Sequence, residues 1–113
     1  MIIIAFCKHT TKKIPNLLCR GYKHAAPIAA YPDKLIMYQF VRHGVTEKIE
    51  LHMRDLQILQ KHGWHFVYLT GDISHDFCIN TAYTCVQLSK QAIGIKNWQI
   101  QTPQRLYKFL QHN

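Results

Sequence analysis

The stretch HAAPIAAYPDKLIMYQFV, residues 24–41, decides the fold class of this chain. Two apolar runs, residues 24–30 and 35–41, flank the tetrapeptide YPDK at residues 31–34. Apolar runs of strand length on either side of a Pro-Asp turn predict a β-hairpin. Because Pro27 has no N–H to donate, we expect its strand to lie at a sheet edge or to carry a bulge there.

The segments around this hairpin predict further strands. After a turn at residues 42–44, residues 45–51 have the length and alternation of a third strand in series, which makes an antiparallel meander. MIIIAF at residues 1–6 predicts a buried strand, and the aromatic and β-branched run WHFVYL at residues 64–69 predicts another. We therefore expect an α+β fold, a small antiparallel sheet with packed helices.

Local signals predict three helices. Residues 53–62 place apolar side chains at three-residue spacing, and Gly63 follows as a left-handed stop. TCVQ at residues 84–87 has the form of a capping box and opens a helix that ends at Gly94. Thr102-Pro103 is an N-cap followed by proline at the first helical position, which opens the last helix.

Length and composition indicate one globular domain over residues 1–113. The apolar fraction is 48% and the charged fraction 18%, and no repeat or linker divides the chain. No apolar run approaches the roughly 18–20 residues of a membrane span, and residues 1–6 are too short for a signal-peptide core. We therefore expect a cytoplasmic protein with reduced thiols, compact enough to suit a phage or bacterial accessory protein.

The chain is strongly basic, with 14 Lys and Arg against 6 Asp and Glu, a net charge of +8. A basic surface attracts nucleic acid and other polyanions without choosing among them. No nucleic-acid-binding signature accompanies the charge. The excess is densest in a segment that we expect to make any polyanion contact: Lys8, Lys12, Lys13, Arg20 and Lys23.

Cys85 is the cysteine that the pattern places at a capped helix N-terminus. The positive end of a helix dipole and a nearby imidazolium both stabilise a thiolate. The N–H groups of a first helical turn can also receive a developing oxyanion. The competing interpretation is a small core residue, since cysteine is among the most buried residue types.

The order of these features resembles the circularly permuted NlpC-type branch of the papain-like superfamily, which includes YiiX-like and lecithin retinol acyltransferase-like proteins. The resemblance is carried by His24 with its apolar strand, by YTCVQL at residues 83–88 and by the Thr102-Pro103 helix start. It implies that Cys85 is the nucleophile and His24 the general base and acid. It also implies a polar residue that orients the imidazole, for which Gln39 is the closest candidate.

The resemblance implies a thiol hydrolase, a peptidase, amidase or acyltransferase that acts on a peptide, amide or ester through an acyl-enzyme, without a cofactor or metal. His24 and Cys85 should then meet in a cleft walled by residues 73–83, where His75 is the alternative base. A second interpretation is a non-enzymatic basic module for nucleic acid or another polyanion on the same fold. A zinc site is a third interpretation, although CxxC spacing is absent. Its candidate ligands are Cys7, His9, Cys19, His24, His75, Cys78 and Cys85.

Overall fold

Five strands and three helices make up the part of the chain that the structure describes, residues 1–8, 24–42, 45–74, 77 and 84–111. In this computed structural model, none of the helices in those ranges is long and apolar enough to cross a membrane. The strands are β1 (Ile2–Cys7), β2 (His24–Ala30), β3 (Leu35–Arg42), β4 (Val45–Leu51) and β5 (Trp64–Leu69). The helices are α1 (Met53–Lys61), α2 (Cys85–Ile93) and α3 (Pro103–Gln111).

The strands form one antiparallel sheet in the order β4-β3-β2-β1-β5. The meander of β2, β3 and β4 is as predicted, and the α+β fold class is confirmed. Strand β1 enters between β2 and β5, and all six of its residues are buried. A strand with no polar face has to be covered on both faces, and so the apolar run at the start of the chain lies inside the sheet.

The expectation of an edge strand at Pro27 is wrong, because β2 lies between β1 and β3. Pro27 is paired with Ile4 of β1. The pairs between β2 and β3 begin at Ile28 with Met37, one residue after the proline. The residue that lacks an N–H therefore lies just beyond this ladder, where a donor to β3 is not required.

The two faces of the sheet have different covers. Alternate residues of β1 point to opposite faces, so one set packs with α2 and α3 and the other with α1. We call these the α2/α3 face and the α1 face. The α2/α3 face includes Ile2, Ile4, Phe6, Ala25, Val86 and Leu106. The α1 face includes Ile3, Ala5, Ala26, Ile28, Met37 and Leu56.

The predicted N-cap of α2, its stop at Gly94 and the start of α3 are confirmed, and of the predicted capping box the structure gives the half formed by the Thr84 hydroxyl. Thr84 is the N-cap of α2, and its Oγ1 accepts a hydrogen bond of 3.0 Å from the Gln87 N–H. The same helix ends at Gly94, whose φ of 78° is left-handed and suits a residue without Cβ. Thr102 Oγ1 accepts from the Arg105 N–H at 3.2 Å, which starts α3.

Candidate thiol site

Cys85 is the first residue of α2, and its thiol is half-buried. The side chain packs against the buried clusters of the α2/α3 face. The first hydrogen bond of the helical i to i−4 pattern runs from the Leu88 N–H to the Thr84 carbonyl at 3.0 Å. The Gln87 N–H is taken by the Thr84 hydroxyl, so the thiol lies beside a capped helix N-terminus, at the positive end of the α2 dipole.

Aromatic residues and a buried hydroxyl surround Cys85. Phe77 and Tyr38 meet edge to face with ring centroids 5.0 Å apart, and both belong to the cluster against which Cys85 packs. Burial, with a smaller contribution from Tyr31, raises the pKa of Tyr38, which favours its neutral form. Ser89 is fully buried and donates its hydroxyl to the Cys85 carbonyl at 2.9 Å. The inner side of the first turn of α2 therefore packs on apolar side chains, while its N-cap Thr84 is exposed.

His24 is the first residue of β2, and its cross-strand partner on β1 is Cys7. Cys7 is in turn the partner of Trp64 on β5. The imidazole of His24 meets the Trp64 ring edge to face, with centroids 6.0 Å apart. Because Trp64 packs against the cluster of the α1 face, the imidazole lies on that face as well.

The structure therefore does not form the predicted pair of Cys85 and His24. Ala25, the neighbour of His24 on β2, belongs to one of the clusters against which Cys85 packs. Neighbouring side chains of a strand lie on opposite faces. Because Ala25 faces α2, His24 faces away from that helix. The cysteine that lies beside His24 is Cys7, which is 5% exposed.

Gln39 lies on the same face as His24, since it is two residues from Met37 on β3. Its Oε1 atom is buried and has no hydrogen-bond partner among the described residues. His75 and most of the predicted cleft wall lie outside the described residues, as do the basic residues between positions 9 and 23. Gln39 as an orienting residue, and His75 as a base, stay predictions.

Lys90 is a buried cation that the sequence reasoning missed. Its side chain is 8% exposed, and its ammonium donates to the carbonyls of Asn97 at 2.9 Å and Ile100 at 2.8 Å. Burial lowers the pKa of Lys90, because it penalises the charged form. The sequence did contain a signal for this burial, because Lys90 lies four residues after Val86 and three before Ile93. This spacing places it on the apolar face of α2.

The described residues hold no group of three or more His, Cys, Asp or Glu that could bind a metal ion. Three of the seven candidate zinc ligands lie within the described ranges, namely Cys7, His24 and Cys85. Cys7 and His24 share the α1 face, whereas Cys85 packs on the other.

Comparison of the chain with protein-family models, with curated proteins and with solved structures finds no match. Arguments about function therefore depend on the residues and their geometry.

Proposed function

We propose that this chain is a thiol hydrolase or acyltransferase in which Cys85 is the nucleophile. One observation carries the proposal: a half-buried thiol at the first position of a helix whose N-cap is formed by Thr84. The positive end of the helix dipole favours a thiolate over a thiol at that position. The same positive end of the dipole favours the oxyanion of a tetrahedral intermediate. The resemblance to the permuted NlpC-type branch gives Cys85 the same role.

The chemistry proposed for Cys85 is acyl transfer from an amide or ester. The thiolate attacks the carbonyl carbon, a C–S bond forms, and the C–N or C–O bond breaks while the leaving amine or alcohol takes a proton. Water then hydrolyses the thioester to a carboxylic acid and regenerates the thiol. In an acyltransferase, a second amine or alcohol replaces that water.

Proton transfer needs a base on the α2/α3 face, and the described His24 imidazole lies on the opposite face. The alternative base that the sequence offers is His75, which lies outside the described residues, and we take it as the base of this proposal from the sequence alone. His24 would act as the base only if its side chain lay on the other face of β2, because neighbouring side chains of a strand lie on opposite faces. Variants of the two histidines distinguish these arrangements.

Thiol reactivity tests the nucleophile without knowledge of the substrate. The native protein is alkylated briefly with iodoacetamide at pH 6, and labelled peptides are mapped. We expect Cys85 to label before Cys7, because a thiol of ordinary pKa, about 8.5, is almost wholly protonated at that pH. His75→Ala should slow the labelling of Cys85, whereas His24→Ala should leave it unchanged. If another cysteine labels first, Cys85 is a packing residue and the hydrolase proposal fails.

An acyl-enzyme gives a second, more direct readout. Incubation with p-nitrophenyl acetate should acetylate Cys85 in a burst of p-nitrophenol release, detected by intact mass and peptide mapping. Cys85→Ser keeps the size of the side chain and should abolish both signals. Cys7→Ser is the matched control, because Cys7 is buried on the α1 face and should not acylate.

The partners of the proposed site follow from the chemistry: a peptide, amide or ester substrate. A polyanion contact through the basic segment is a separate prediction, in which Lys8 is exposed and the other four residues lie outside the described ranges. It is tested by the salt dependence of binding to heparin and to nucleic acid, since each phosphate contact steepens that dependence. Steep salt dependence without thiol-dependent activity would favour the binding module over the enzyme.

A further inference from the structure

A groove runs between α2 and the connection from α2 to α3. Its volume of about 470 Å³ falls within the range of sites for small ligands. On the helix side the lining residues are three and four positions apart, as on one face of a helix. The groove is lined by Gln87, Lys90, Gln91, Ile95, Lys96, Trp98 and Gln101.

Hydrogen bonds hold the far wall of the groove in place before any ligand binds. Lys90 ties the connection to α2 through the carbonyls of Asn97 and Ile100. Gln101 Nε2 donates to the Trp98 carbonyl, and Asn97 Oδ1 accepts from the Gln99 N–H at 2.9 Å. A wall ordered in this way loses little conformational entropy on binding.

The side chains in the groove favour an anionic ligand with a flat ring. Trp98 is 75% exposed and offers a large π face, and Lys96, also exposed, lines the same groove. The lining contains two lysines and no carboxylate. Gln91 also lines the groove, although its Oε1 is buried. An aromatic platform and a cation are the two groups by which proteins hold a base and its phosphate.

We propose that this groove binds a nucleotide, with the base stacked on Trp98 and the phosphate at Lys96. An acidic polysaccharide is the competing ligand, but it has no planar base to stack on Trp98. The site is separate from the proposed acyl transfer, since it uses neither Cys85 nor a histidine. Free nucleotides and single-stranded nucleic acid share this chemistry.

Tryptophan fluorescence tests the proposal in a Trp64→Phe background, where Trp98 is the remaining tryptophan. We expect saturable quenching by oligothymidylate, by thymidine monophosphate or by both, and the two arms tell a strand from a free nucleotide. Trp98→Ala, followed by fluorescence anisotropy of a labelled oligothymidylate, should weaken binding by roughly tenfold or more, as for loss of one stacked base. Lys96→Gln should flatten the slope of log K against log salt by about 0.7 per lost phosphate contact.

Two exposed positions outside the groove give matched controls. Tyr68→Ala removes an aromatic side chain that is 57% exposed on β5, and Lys61→Gln removes an exposed cation from α1. Both should bind as the parent does. The proposal is overturned if Trp98→Ala binds like Tyr68→Ala, if neither nucleotide ligand binds, or if heparin alone binds in a Trp98-dependent way.

Discussion

Replacement of Lys90 by methionine should lower the stability of the fold, although it removes a buried charge. Methionine keeps the length and most of the volume of the lysine side chain but has no N–H to donate. The Ile100 carbonyl, which accepts from Lys90 in a buried position, would be left without that donor. The Asn97 carbonyl is only partly buried, and water can replace its donor.

The expected loss is about 2 kcal/mol in the free energy of unfolding. An unsatisfied buried acceptor is destabilising by roughly 1–3 kcal/mol, and loss of the second bond adds less because water reaches it. Burial of an ammonium is itself destabilising, so its removal by the substitution offsets part of this loss. The expected total therefore stays within the range given for one unsatisfied acceptor. For a domain of 113 residues, 2 kcal/mol corresponds to a fall of roughly 8 °C in Tm.

The assay is urea unfolding of the parent, Lys90→Met and the control Lys61→Met, followed by circular dichroism. Lys61 is exposed in the last turn of α1, so its variant should stay within about 0.5 kcal/mol of the parent. Equal stability of the two variants would show that the two carbonyls gain nothing from Lys90. A difference of about 2 kcal/mol with an unchanged m value would support the reasoning.

The pH dependence of the same variant has a defined sign. Burial lowers the pKa of Lys90 below the ordinary value of 10.5, so in the alkaline range under 10.5 the unfolded state binds more protons than the folded state. Stability of the parent should therefore rise with pH through that range, and the gain should disappear as pH falls through the folded pKa. Lys90→Met should lack this rise relative to the parent.

Three further predictions concern other positions. Tyr38→Phe should remove a loss of stability at alkaline pH. Because the pKa of Tyr38 is raised in the folded state, its contribution to stability is fully present below the ordinary value of 10.0 and is lost as pH rises through the folded pKa. Unfolding of both proteins at stepped pH would measure this difference. Thr84→Ala should lower stability by about 1 kcal/mol through loss of the N-cap and should also slow alkylation of Cys85; unchanged values of both would mean that the cap is dispensable. Gln39→Met should leave thermal stability unchanged or raise it, because the buried Oε1 has no partner among the described residues, and a clear fall in Tm would reveal one.

Much of this molecule follows from its sequence, because the relevant signals are local. The hairpin of β2 and β3, the cap at Thr84 and the stop at Gly94 each depend on residues within one turn of helix or one β-turn. Such interactions form with little loop closure, so they are the same in almost any tertiary context. The placement of Cys85 at a helix N-terminus was predictable for this reason.

The tertiary structure decided what local patterns do not encode, namely strand order, strand register and the faces that result. Strand β1 pairs across a long stretch of chain with β2, and that register sets Cys7 beside His24 and turns the imidazole away from Cys85. A change of one position would reverse the face, yet it alters no neighbour in the sequence. Lys90 is a similar case: its carbonyl partners lie seven and ten residues away, so only the folded connection shows why a lysine is buried there.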